Sequence, residues 1–297
     1  MIGELWWFWA LLSGIISSST IYANQICKMP SSLMMIYRGI FMCLFLTIFS
    51  YWFEVPRSPL FWVLGVIQGL IISYVDKKTF LCSRIFGGEI TASIKPFAIA
   101  LILVFWWLVK PDQFWDTLNN PFQFLLTVGC VIGIVTALLM IRRTSLSKDA
   151  FILLLPALIG SIAIDINNKQ ITTVGASQGL GNSIFWYCWI TALFSGLPNA
   201  VKFIRKRDWR LIFVPKYMIG GLLVMLGFII ANITKNTAMY YAQNPAYVTA
   251  LISLYPVWIV IWNKFYYRYQ KVEKFSGCDI WAVIILLIST ILLVLIQ

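Results

Sequence analysis

Lys95 stands in a long apolar run, directly before Pro96. A proline removes one backbone donor and frees a carbonyl one turn earlier. A lysine beside it suits a cavity wall, where its ammonium can hold a carboxylate or phosphate of a small ligand. The alternatives are a structural pair with Asp165 or Glu89, or snorkelling to an interface. Arg38, Lys77, Asp165 and Lys235 also interrupt apolar stretches, and Glu89 sits at the start of the Lys95 run. An ionisable group at the centre of a membrane helix costs roughly 2.5–3.5 kcal/mol on insertion scales. Such a group is tolerated where a partner or a polar cavity receives it.

Each charge has two readings. Lys77 and Lys235 suit cationic sites at two cavity mouths, or ordinary helix-end lysines. Arg38 suits a substrate contact or a fixed salt bridge. Asp165 suits uptake of a coupling proton if burial disfavours its charged form, or a pair with Arg38 or Lys95. Amides at Asn24, Asn167 and Asn232 supply hydrogen bonds to a ligand or between helices. Tyr22, Trp186, Tyr187 and Tyr255 are candidate cavity aromatics, and Ser93 and Ser253 are candidate contacts within close helix packing.

The same inventory excludes much chemistry. There is no histidine, the commonest general base and metal ligand. The six cysteines form no C-x-x-C pair and mostly lie in apolar runs, as small buried hydrophobes do. No G-x-x-x-x-G-K-[ST] loop is present. No metal, no cofactor and no enzyme activity are expected.

The elements that position these residues follow from composition. Hydrophobic residues make up 60% of the chain and charged ones 11%, far below the quarter usual in soluble proteins. The net charge of +12 reads as basic loops beside a bilayer, not as a nucleic-acid surface. A span needs about 20 apolar residues. Ten such runs occur, near residues 5–25, 32–53, 60–81, 89–109, 122–141, 150–168, 183–204, 217–241, 246–266 and 278–296. Pro30, Pro56, Pro59, Pro111 and Pro245 mark breaks, as do the Arg142-Arg143 and Arg205-Lys206-Arg207 clusters. The run from Gln170 to Asn182, with three glycines, reads as the longest polar loop.

The halves echo each other. Ser93-Ile94-Lys95-Pro96 matches Ser253-Leu254-Tyr255-Pro256, and Lys77-Lys78-Thr79 matches Lys235-Asn236-Thr237. Ile21-Tyr22-Ala23-Asn24-Gln25 matches Ile164-Asp165-Ile166-Asn167-Asn168. The expected units are therefore residues 1–144 and 145–297, five spans each. An odd span number inverts one unit relative to the other, as in many secondary transporters.

Asn236-Thr237-Ala238-Met239-Tyr240-Tyr241, followed by Ala250-Leu251-Ile252-Ser253-Leu254-Tyr255-Pro256, resembles the drug/metabolite transporter superfamily, in its EamA-like ten-helix branch. Arg38, Gly14 and Gly160 are similar to residues of that family. The resemblance implies an all-α membrane fold of two inverted five-helix repeats and a transport role. The expected function is a secondary transporter or exporter of a small polar metabolite, by alternating access. The cationic bias leans toward an amino acid or a phosphorylated substrate, with a proton as candidate coupling ion. A lipid or lipid-phosphate flippase, a membrane scaffold and a membrane enzyme are the alternatives. The expected location is the cell membrane. Loop charges put both termini outside, whereas the resemblance implies that they are cytosolic.

Overall fold

A chain this apolar must satisfy its backbone polar groups internally, and helices do so within one segment. The computed structural model describes residues 5–27, 29–86, 95–141, 148–205, 208–254, 257–258, 261–262 and 280–296. Its elements are all helical. In chain order they are α1 (Trp6–Cys27), α2 (Ser31–Trp52), α3 (Pro59–Phe86), α4 (Lys95–Val109), α5 (Pro111–Asn119), α6 (Pro121–Ile141), α7 (Lys148–Gly175), α8 (Leu180–Arg205), α9 (Pro215–Tyr241), α10 (Pro245–Ile252) and α11 (Ile280–Ile296). Six of the described helices are long and apolar enough to cross a bilayer, or seven if the bent pair α4–α5 counts as one span. This is the architecture of a multi-pass membrane protein. Aliphatic side chains such as Ile48, Leu125, Leu223 and Ile291 are exposed on its flanks, as lipid-facing residues are.

Helix starts follow proline chemistry. Pro111, Pro215 and Pro245 open α5, α9 and α10, where a missing N–H costs nothing. The α4–α5 break bends the chain by 105°. Trp106 secures it by donating its indole N–H to Gln113 Oε1 at 2.8 Å.

The polar run after Asn168 corrects the sequence expectation. α7 continues through Gly175, followed by a short turn over Ala176–Gln178. What ends it is Gly179, whose φ of 99° favours glycine. The amides and hydroxyls before that point are helical. Lys169, expected in a loop, therefore projects from a helix.

Packing follows a regular scheme. α1 lies on α9, and α7 lies on α3. α1 also meets α10, and α7 meets α4. α3 meets α8, and α9 meets α2. α2 pairs with α8, α4 with α10, and α6 with α11. Small residues set the closest approaches. A Cβ on Gly39 would lie 2.3 Å from the Gly196 Cα, so α2 and α8 touch backbone to backbone. Gly14 packs on Ile252, and Gly160 on Val75. At one end of the bundle two loops are joined: Glu54 N–H donates to Asn182 Oδ1 and Arg57 N–H to Gln178 Oε1, at 3.3 and 2.6 Å.

Candidate functional site

α3 and α7 are each 28 residues long, pack together, and run in opposite directions. Each carries an aspartate ten residues before its last residue, Asp76 in α3 and Asp165 in α7. With 1.5 Å of rise per residue the two carboxylates sit on the order of 11 Å apart along the common axis, both far from the helix ends. Each has found a cation on another helix.

Asp165 is 7% exposed. Its Oδ1 lies 2.5 Å from Lys235 Nζ of α9, and its Oδ2 accepts the Thr249 hydroxyl of α10 at 2.9 Å. One carboxylate thus ties three helices. The expected partners were Arg38 or Lys95, but α9 is the helix that α7 presents Asp165 to. One turn further on, Lys169 donates to the carbonyls of Tyr240 at 2.8 Å and Ala242 at 2.7 Å. It caps the carboxyl end of α9, where the helix dipole favours a cation.

Arg38 of α2 pairs with Asp76. Its guanidinium also lies 4.2 Å from the centroid of the Phe228 ring of α9. Tyr37–Phe41 forms a π-helical turn within α2, and that turn carries Arg38. Such turns recur at functional hinges.

Between these pairs runs a connected polar layer. Gln68 Nε2 donates to Asn168 Oδ1 at 2.6 Å and to the Ile164 carbonyl at 3.1 Å, and its Oε1 accepts from Asn167 at 2.9 Å. The Tyr187 hydroxyl donates to Asn168 Oδ1. Thr191 donates to the Tyr187 carbonyl at 2.7 Å. Further along α8, Asn199 donates to Ser73 and to the Ser195 carbonyl. Tyr187, Thr191, Ser195 and Asn199 recur every fourth residue, one polar stripe on one face of α8. Arg38, Met42, Ile72, Thr191, Ala192, Ser195 and Asn232 enclose a cavity of about 20 Å³ beside this stripe, room for one water.

The expected residues thus divide. Asp165 meets Lys235, Asn167 meets the Gln68 layer with Tyr187, and Arg38 shares the small cavity with Asn232. Lys77 is exposed, so it does not join its sequence counterpart Lys235. Trp186 belongs instead to an aromatic cluster, with ring centroids 5.7 Å from Trp62 and 5.6 Å from Trp189. Ser253 is buried at the carboxyl end of α10. Ser93 and Tyr255 lie outside the described residues, as do the side chains of Tyr22, Asn24 and Lys95.

No family model matches the chain, and no curated relative does. The site therefore rests on its own geometry.

Sequence reasoning missed Gln68, Asp76, Lys169, Thr191, Ser195 and Asn199. The four-residue spacing on α8 could have revealed the last three with Tyr187. Asp76 was masked by the adjoining Lys77-Lys78, which reads as the charged end of a helix. α3 in fact continues ten residues past Asp76.

Proposed function

We propose that the chain is a secondary transporter or exporter of a small polar metabolite, working by alternating access between two inverted five-helix repeats. The observation that carries this reading is the pair of interhelical ion pairs, Arg38–Asp76 and Asp165–Lys235, on helices that also share the polar layer of Gln68, Asn167, Asn168 and Tyr187. Such charges serve a pathway more often than a scaffold. The scheme of helix contacts supports the repeats. Exchanging α1, α2, α3, α4 and α6 for α7, α8, α9, α10 and α11 turns α1–α9 into α7–α3, α1–α10 into α7–α4 and α3–α8 into α9–α2, each a contact present in the fold. The motif resemblance to EamA-like drug/metabolite transporters supports the same reading, and with it ten spans.

Small-molecule pockets usually measure about 300–1,000 Å³, so the 20 Å³ beside Arg38 must widen before it admits a substrate. A substrate must part Arg38 from Asp76. A substrate that enters between them meets one cation and one carboxylate. A zwitterion answers both, with its carboxylate on Arg38 and its ammonium on Asp76. An amino acid fits that requirement. Asp165 is the candidate carrier of a coupling proton.

The deciding experiment is uptake by proteoliposomes across a panel of amino acids, carboxylates and phosphorylated metabolites. Saturable uptake that Arg38→Gln abolishes is the expected result. A panel with no saturable uptake overturns the reading. A lipid flippase needs polar groups at a lateral opening. The described groove on the flank, about 330 Å³ between α6 and α11, is lined by Phe122, Leu125, Leu126, Gly129, Cys130, Ser289 and Leu292 and carries no charge.

A further inference from the structure

Between Lys202 and Lys216 the sequence holds six Lys or Arg residues and a single acid, Asp208. The stretch joins α8 to α9 and includes a short 3₁₀ helix, Asp208–Phe213. That helix has two faces. Leu211 and Ile212 pack inward with Phe203, Tyr37 and Val224. Trp209 and Phe213 point outward, 52% and 70% exposed, with their rings 6.4 Å apart. Arg210 lies 5.7 Å from the Trp209 ring, and Arg205 and Lys216 are exposed on either side. Ile204, next to Arg205, is also exposed.

Water alone does not suit this surface. Large rings left outside an apolar core, interleaved with cations, match the boundary between headgroups and acyl chains. Clusters of four to eight Lys or Arg beside a membrane helix attract anionic lipid, each cation contributing to the affinity. A soluble acidic ligand would satisfy the cations and leave Trp209 and Phe213 in water.

The inner face connects this surface to the site. Tyr37, 2% exposed, donates its hydroxyl to the Ile212 carbonyl at 3.2 Å. Its ring rests against Gly221 of α9, where any Cβ would come within 2.4 Å of it. It stacks on Phe41 at 4.8 Å. Tyr37 and Phe41 begin and end the π-helical turn, and Arg38 follows Tyr37 directly.

We propose that the surface formed by Arg205, Trp209, Arg210, Phe213 and Lys216 docks anionic phospholipid headgroups, and that Tyr37 ties this docking surface to the π-helical turn carrying Arg38. Headgroups on the cations draw Trp209 and Phe213 into the boundary. The 3₁₀ helix then fixes Ile212, and through it the register of Tyr37. Basic residues that merely set membrane orientation would need neither the exposed rings nor the buried hydroxyl bond.

The test uses the full chain in neutral detergent, titrated with dihexanoyl phosphatidylglycerol or dihexanoyl phosphatidylcholine, with binding read by native mass spectrometry. The glycerol lipid is expected to bind and the choline lipid not. Replacing Arg205, Arg210 and Lys216 together by Gln is expected to weaken that binding on the order of tenfold or more. Arg57→Gln with Lys110→Gln, at other loops, is expected to leave it unchanged. Each single Gln variant is expected to give part of the loss, so a triple variant that fails to fold does not shield the idea. Equal binding of both lipids, or equal losses in the triple variant and the Arg57/Lys110 control, overturns the docking surface. In nanodiscs, phosphatidylglycerol is expected to slow amide exchange across residues 37–41, and Tyr37→Phe to remove that slowing while lipid still binds. Unchanged slowing in Tyr37→Phe overturns the tie to Arg38. None of these readouts requires transport, so a chain that moved no substrate would leave the inference standing.

Discussion

Lys235 and Lys77 hold matching places in the sequence echo, but their surroundings differ. Lys235 meets Asp165 at 2.5 Å, while Lys77 is exposed. The cause lies on the neighbouring helices. In the echo that aligns Asn24-Gln25 with Asn167-Asn168, Asp165 corresponds to Tyr22, and α1 contains no acid at all. The first half instead places its carboxylate at Asp76, where Arg38 takes it up. On the two-repeat reading proposed above, the halves share a scaffold but not their electrostatic wiring. The two carboxylates differ in burial: the Asp165 side chain is 9% exposed and also held by Thr249, whereas that of Asp76 is 19% exposed. The two cations are similarly accessible.

The sharpest way to break this contrast is Asp165→Asn. It strands Lys235 and weakens the acceptor for Thr249, for an expected loss of about 3 kcal/mol, read as thermal unfolding in detergent. The same variant is expected to lose pH-driven accumulation in proteoliposomes. Unaltered accumulation rejects proton coupling at this residue. Adding Lys235→Met should recover much of the stability and none of the coupling, because no charge is then left unpaired.

Arg38→Gln comes next, at roughly 2 kcal/mol, because Asp76 is more exposed than Asp165. A stability loss as large as that of Asp165→Asn would contradict the difference in burial between the two carboxylates. Gln68→Leu removes the bridge between Asn167, Asn168 and Tyr187 and is expected to cost about 1 kcal/mol, as interhelical hydrogen bonds in membranes are individually modest. Lys77→Gln should change stability by less than about 0.5 kcal/mol. A large effect there would show that Lys77 has a partner of its own and remove the asymmetry.

Much of this was legible in the residue order. Apolar runs located the six or seven spans found among the described residues, because lipid offers no other conformation to an isolated span, and prolines located several starts. Asp165, Lys235 and Arg38 stood out because charge in an apolar run demands a partner. The partners themselves did not stand out. Which helix faces Asp165 depends on how Gly39, Gly160 and Gly196 let backbones approach, and that is a property of the packed bundle. The end of α7 was misplaced for a different reason. The run from Gln170 to Asn182 is mostly polar, which reads as a loop. Its first turn is instead helical, with Ile171 and Thr172 buried, Thr172 donating to the Asn168 carbonyl, and the preceding Lys169 donating to α9. Only the backbone reversal at Gly179 stops the helix.

Lys169 carries one more consequence. Broken helix ends in transporters often offer their carbonyl oxygens to a dissolved alkali ion. Here the carbonyls of Tyr240 and Ala242 already hold an ammonium bonded to the chain itself. The tethered ammonium stands where sodium or potassium would, so the turn between α9 and α10 should be indifferent to which salt bathes the protein. Shortening the tether, as in Lys169→Ala, would hand the vacancy to the solution, and small amines or alkali ions would then govern what the native molecule settles by covalent attachment.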